Sequence, residues 1–277
     1  MSRRLEPSWN SGPGALLRGR VLEQLETRAL GRTLLLLEEV TSTSDVARAD
    51  AQDGTARDGY LVLAERQTAG RGRRGRSWVA PPGENLSFSL VLRPALAIEE
   101  APSLTLAAAV GCRDALAALG AEAEIKWPND LLIGGRKVAG ILAEMGLAGG
   151  RFAFAVIGIG LNVNLDPTAL PPPLCETATS LAQALGRQLD RSDVLACLVN
   201  HLEPAFDALA CGGFAAIRSR YEAHSATLGR RVRVQLEGEA LEGEAFALTA
   251  RGALRLRLDS GEVREVLSGD VERLRGA

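Results

Sequence analysis

The sequence predicts a mixed α/β layered domain followed by a small β-barrel. Three observations carry that expectation. Strand-length aliphatic segments interleave with helix-length amphipathic ones through most of the 277-residue chain. From about Leu228 the spacing becomes period two: Val232, Val234 and Leu236 alternate with Arg231, Arg233 and Gln235, and Leu254, Leu256 and Leu258 with Arg255, Arg257 and Asp259. Turn pairs at Glu237-Gly238, Arg251-Gly252 and Ser260-Gly261 cut that last stretch into short half-buried strands. With the boundary near Ala226, the expected organisation is an N-terminal extension with a short helix (1–32), a main domain (33–225) and the barrel (226–277).

The elements follow in order. Leu16, Leu22, Leu25 and Leu30 recur roughly at helical spacing and stop at Gly31, predicting an amphipathic helix within 15–30. Strands are expected over 34–40, 61–65 and 86–92, with a helix opening near Ser44 between the first two and a longer one over 103–119 ending at Gly120. A strand-dense middle covers 123–127, 137–145 and 152–164. A proline-rich loop at 167–173 and helices over 180–186 and 191–221 complete the main domain.

Composition bounds the function. A 46% hydrophobic chain of this length buries a substantial core. A formal net charge of −2 and a pI near 5.9 argue against a general nucleic-acid binder, which carries a basic field over a whole face. Cys112, Cys175, Cys197 and Cys211 form no C-x-x-C pair, so reduced thiols are expected and no structural metal. Residues 1–14 lack an apolar run of signal-peptide length, and the longest aliphatic run, Leu34 to Leu37, is too short to cross a bilayer, which points to the cytoplasm.

Against that weakly acidic background, Gly70 to Arg76 packs four arginines and three glycines into seven residues. Glycines let a backbone bend toward a ligand and guanidinium forks match phosphate or carboxylate oxygens, so the segment reads as a loop over a charged small molecule. An isolated charge run also serves as a solvated surface loop or tracks a nucleic-acid backbone, so the loop needs support from elsewhere.

Four segments are candidates for that support. In Lys126-Trp127-Pro128-Asn129-Asp130 a proline turn after a strand gathers an indole, an amide and a carboxylate, although Asn and Asp are also ordinary turn formers. Arg136 through Glu144 reads as a strand led by a lysine, with Lys137, Ala139 and Ile141 on one face; Lys137 is either a solvated strand end or a fixed charge on a pocket wall. In Val156 through Asn164, Gly158, Gly160 and Asn162 share a face, which suggests close approach of a ligand to the backbone, a bulge being the alternative. Thr41 through Asp45 caps a helix, and its hydroxyls also suit a neutral polar ligand.

These segments, in this order and at these separations, resemble biotin protein ligases, also called biotin–[acetyl-CoA carboxylase] ligases, over about residues 33–275. The resemblance implies a catalytic domain related to class II aminoacyl-tRNA synthetases and lipoate ligases, with an SH3-like barrel behind it. It implies that biotin is activated by ATP with Mg²⁺ to biotinyl-5′-AMP and passed to a lysine of a biotin carboxyl carrier protein. By the same resemblance Ser42, Thr43, Ser44 and Gln67 contact biotin, with Gly140, Gly158 and Gly160 making room for it. Arg71, Gly72 and Arg73 form the loop ordered over biotin and adenylate, and Lys137 is the central catalytic lysine, with Arg73 beside it. Arg76, Trp78, Trp127, Asn129 and Asn162 lie by the nucleotide. No side-chain metal ligands are implied.

One departure is Ser44, where the family usually has asparagine. Residues 1–32 are too few for the winged helix-turn-helix of the family's repressors, so the monofunctional kind is expected, without specific nucleic acid or membrane as partner. Family members often form homodimers through sheet edges. The alternatives are a lipoate or octanoate ligase of the same fold and, from another class, a nucleic-acid-binding repressor using the arginine loop.

Overall fold

A computed structural model describes residues 15–236 and 238–274. The expected turn residue Glu237 and the first part of the 1–32 segment lie outside the described residues. The main domain is built on a seven-stranded sheet whose strands are β1 (Leu34–Val40), β2 (Leu61–Gln67), β3 (Asn85–Leu92), β4 (Glu124–Lys126), β5 (Asp130–Ile133), β6 (Arg136–Ala148) and β7 (Arg151–Asn162). Their spatial order is β1-β2-β3-β7-β6-β5-β4, parallel only between β1 and β2. The helices are α1 (Arg18–Gln24), α2 (Thr43–Gln52), α3 (Pro102–Ala118), α4 (Leu174–Thr177), α5 (Leu181–Leu185), α6 (Arg191–Gly212) and α7 (Ala215–Ala223).

The period-two pattern sorts side chains to the two faces of this sheet. Leu61, Leu63, Leu86, Phe88, Leu90, Ile157, Ile159 and Leu161 are buried in the main core with α3 and α6. Val62, Val91, Phe154 and Val156 point the other way, onto Ala47 and Ala51 of α2. Helix α2 is short and covers only part of that second face. Beyond it the same parity presents Ser87 and Ser89 of β3 opposite Gly160 and Gly158 of β7, small and polar residues that leave a depression in the sheet.

The C-terminal strands β8 (Arg230–Gln235), β9 (Ala240–Leu248), β10 (Leu254–Leu258), β11 (Val263–Val266) and β12 (Asp270–Arg273) form an antiparallel sheet in the order β11-β10-β9-β8-β12. Val232, Val234, Leu254, Leu256 and Val271 are buried, as the alternation predicts, and join the same core as the main domain. The junction is tied by hydrogen bonds. The chain after α7 runs beside β4, with Ile125 N–H donating to the His224 carbonyl (2.7 Å) and Ala226 N–H to that of Ile125 (2.9 Å).

Three differences from the expected elements have tertiary causes. Helix α1 ends at Gln24 rather than near Leu30, because the Glu203 carboxylate accepts from the backbone N–H groups of Arg28, Ala29 and Leu30, and the Arg32 guanidinium donates to the carbonyls of Leu25 and Thr27. These partners satisfy the backbone without a helix. Its buried residue Val21, and Leu16 just before it, belong to the main core, so this segment packs as part of the larger domain. The 191–221 helix breaks at Gly213, whose φ of 61° lies in the left-handed region. The short strand β5, unforeseen, pairs with both β4 and β6.

Helix α6 is long and apolar enough to cross a membrane by length and composition alone. Here its buried residues Val194, Leu195, Leu198, Val199 and Leu202 pack within the core. All four cysteines are free thiols, and burial pushes that of Cys112 up to about 12.

Candidate active site

The depression on the α2 face is a cavity of about 430 Å³. It is lined by Ser42, Thr43, Ser44, Gln67, Arg71, Gly72, Arg73, Arg76, Trp78, Asn129, Lys137, Gly140, Gly158, Gly160 and Asn162. Of the residues that the resemblance assigns to biotin or nucleotide, Trp127 alone lies elsewhere. Its side chain is 2% exposed and its indole N–H donates to the Gly252 carbonyl (3.1 Å), while Thr227 Oγ1 accepts from its backbone N–H (3.0 Å). The placement by the nucleotide is therefore corrected: Trp127 is a strut between the two domains, a role set by a partner 125 residues away.

One end of the cavity is neutral and polar. Ser42 caps α2 by accepting from Ser44 N–H (3.3 Å), and Gln67 Oε1, at the end of β2, accepts from the Thr43 backbone N–H (2.8 Å) and hydroxyl (3.1 Å). Ser89, buried in β3, lies 2.8 Å from the Thr43 hydroxyl and 3.0 Å from that of Ser44. Ser89 is not among the expected site residues; its signal is the alternation Leu86-Ser87-Phe88-Ser89-Leu90, which sets two hydroxyls on the polar face of a core strand.

The glycines act one step removed from the expected role. A Cβ at Gly160 would overlap the indole of Trp78, at 2.6 Å from Nε1, and one at Gly158 would stand 2.9 Å from Ser44 Oγ. Their missing side chains seat Trp78 and Ser44, and these residues in turn shape the cavity. The Trp78 indole N–H is buried and without a hydrogen-bond partner. An indole N–H buried in this way favours an acceptor from a ligand.

The other end is charged. Lys137 Nζ lies 2.6 Å from Asp130 Oδ1 and 5.8 Å from the centre of the Trp78 ring. The expected face shared by Lys137, Ala139 and Ile141 is interrupted, because a bulge makes β5 pair Leu131 with Ala139 but Leu132 with Lys137. The extra residue, Val138, re-aims Lys137 so that it shares the cavity wall with Gly140, whose Cβ would stand 3.1 Å from Nζ. Thr179 N–H donates to the Lys137 carbonyl (2.8 Å), and Asn162 Nδ2 donates to the Thr179 carbonyl (2.9 Å). This stitches the segment after the proline-rich loop across β6 and β7 as the far wall.

The arginine segment is a hairpin over the mouth. Gly72 N–H donates to the Arg76 carbonyl (2.6 Å) and Trp78 N–H to that of Gly70 (2.9 Å). Arg74 and Gly75 turn the tip with φ of 53° and 71°, as a type I′ turn requires. Arg71 pairs with Asp45 (2.7 Å) and Glu144 (3.3 Å), and its hydrogen bond to Asp45 raises its pKa. Arg73 donates to Asn129 Oδ1 (3.2 Å), and burial holds its pKa below the ordinary guanidinium value. Asn129 is itself fixed, donating from Nδ2 to the Ile141 carbonyl (3.0 Å). A polar pocket joined to a cationic mouth suits an elongated ligand with one neutral polar end and one anionic end.

Residues 36–162 match the Biotin/lipoate A/B protein ligase family, and residues 227–274 match the Biotin protein ligase C terminal domain. The chain is 35% identical to the bifunctional ligase/repressor BirA of Bacillus subtilis, over 94% of this chain and 80% of that protein. It is 36% identical to the biotin–[acetyl-CoA-carboxylase] ligase of Mycobacterium tuberculosis, over 88% of this chain and 90% of that protein. Among solved structures, the Aquifex aeolicus biotin protein ligase in complex with biotin and ATP superposes with a TM-score of 0.74 at 28% identity, covering 88% of this chain and all of that one. The chain belongs to the biotin protein ligase family.

Proposed function

We propose that this protein is an ATP-dependent biotin protein ligase that forms biotinyl-5′-AMP and transfers biotin to a lysine of a biotin carboxyl carrier protein of acetyl-CoA carboxylase. The observation that carries this reading is the union of the two ends in one cavity: hydroxyls and an amide at Ser42, Thr43, Ser44 and Gln67, and cations at Arg71, Arg73, Arg76 and Lys137. The neutral ureido group of biotin suits the first end, and carboxylate and triphosphate suit the second. A lipoyl or octanoyl chain has no ureido group to satisfy those hydroxyls.

In the first step the biotin carboxylate attacks the α-phosphorus, the bond to the β-phosphate oxygen breaks, and pyrophosphate leaves. Two anions must meet, and at 4 Å their repulsion is roughly 4 kcal/mol at an effective dielectric near 20. Lys137 and Arg73 offset it from fixed positions. In the second step the acceptor amine attacks the acyl carbon and AMP leaves. The arginine hairpin keeps water from the mixed anhydride between the steps. Mg²⁺ enters with the triphosphate. The cavity carboxylates Asp130 and Asp270 are already paired with Lys137 and with Arg74 and Arg76, so phosphate oxygens would hold the ion, which supplies neutralisation of phosphate charge.

The reading places the enzyme in the cytoplasm. Its arginines form a local device in a chain of net charge −2, so specific duplex DNA is not a partner. The test is biotin-dependent ATP–pyrophosphate exchange by purified protein. Exchange that ignores biotin and follows lipoate or octanoate would replace this assignment with the rival ligase.

Trp127→Phe gives a separate check on the domain strut. The change leaves the Gly252 carbonyl buried without its donor, at a cost of about 1–3 kcal/mol. The variant is expected to melt several degrees lower while its KM for ATP stays within about twofold, as follows when stability and site contacts are independent. An unchanged melting curve with a greatly raised KM would return the indole to the nucleotide.

A further inference from the structure

We propose that Asp270, at the start of β12 in the C-terminal domain, is a positioning residue that clasps the arginine hairpin over the cavity, so that the active site is completed by the second domain. The second half of this inference, which concerns the adenylate, rests on the ligase reading above; the clasp itself does not.

The hairpin is held at two places by two domains. Its root, Arg71, pairs with Asp45 and Glu144 of the main domain. At its tip, Arg76 Nη2 stands 2.6 Å and Arg74 Nη1 3.8 Å from Asp270 Oδ2. Arg74 also donates to the Gln235 carbonyl (2.7 Å), and Arg73 to that of Gly269 (3.2 Å). Gln235 and Asp270 face each other across the β8–β12 ladder, so these acceptors belong to one edge of the small sheet. Asp270 itself lines the cavity.

Charge explains why an acid is needed there. Arg73, Arg74 and Arg76 crowd one turn, and each guanidinium disfavours the others. Asp270 is the carboxylate paired with two of them, which keeps the tip folded down when no anionic ligand is bound. The Asp270 side chain is 21% exposed, so the clasp is shielded in part but open to salt. A hairpin held down in this way excludes water from whatever occupies the cavity, and it moves only if the tip leaves the small sheet.

The test is hydrogen exchange at the Gly72, Arg76 and Trp78 amides of the ligand-free protein, whose protection comes from the hairpin and its neighbours. Asp270→Asn keeps the size of the side chain and removes its charge. Exchange at those amides is expected to accelerate about fivefold, the upper range for ion pairs of this exposure. Salt at about 1 M should accelerate the parent more than the variant and so narrow the gap between them, a response that loss of packing would not give. Arg76→Gln, on an exposed side chain, should act in the same direction and guards against misfolding of the first variant. In the second arm, enzyme-bound biotinyl-AMP in Asp270→Asn should be lost to water several-fold faster, with biotin affinity less affected. Parent-like exchange in both variants at both salt concentrations overturns the clasp. If the parent forms no biotinyl-AMP, the ligase reading fails while the exchange result still decides the clasp. Parent-like adenylate lifetime despite faster exchange overturns the sealing role.

Discussion

Lys137→Ala is expected to slow biotin-dependent ATP–pyrophosphate exchange by about 10²-fold or more while melting close to the parent. The magnitude follows from one directed charge contributing about 3 kcal/mol where two anions meet. The small structural cost follows from the exposure of the side chain, 37%, and from its ion pair with Asp130, which at this exposure contributes about 1 kcal/mol or less. Lys137→Arg should also be impaired. Once biotin and nucleotide fill the cavity that Lys137 lines, a planar fork cannot replace a compact charge between them. If Lys137→Ala keeps its adenylation rate, Lys137 serves only the ion pair with Asp130, and another cation must meet the carboxylate and the α-phosphate.

Much of this site was legible because its chemistry is concentrated in short segments. The arginine run, the Lys126–Asp130 turn, the lysine-led strand and the Gly158–Asn162 strand all converge on one cavity through a sheet order, β3-β7-β6-β5, that places them side by side. Strand β1 runs from Leu34 to Val40, as its aliphatic pattern indicates. The sequence pattern misled wherever a distant partner set the outcome. Trp127 looks like a site residue until Gly252 claims its N–H, and helix α1 looks longer until Glu203 captures the N–H groups that would have extended it. The bulge at Val138 is a third case: strict alternation puts Gly140 on the face opposite Lys137, and one extra residue brings them to the same wall. Asp270 was invisible for the same reason, since nothing local marks an aspartate of an edge strand as the partner of a loop nearly two hundred positions earlier.

The glycines of β7 yield the sharpest separation of site from scaffold. Gly160 has ordinary strand geometry, so alanine there meets no backbone strain. What it meets is the ring of Trp78, the outer end of a half-buried side chain that must shift to make room, and not backbone. Gly160→Ala should therefore fold and melt near the parent. The displaced indole no longer roofs the cavity or faces Lys137, and the loss of its packing against a ligand is worth about 1.5–3 kcal/mol. Biotin affinity is expected to fall about 10- to 100-fold, with a change in tryptophan fluorescence in the free protein. Trp78→Ala should lose affinity to a similar degree, and the double variant little more than either single one, because both act through the same ring. Additive losses in the double variant would mean that the backbone at Gly160 meets the ligand directly, restoring the simpler expectation drawn from the strand pattern.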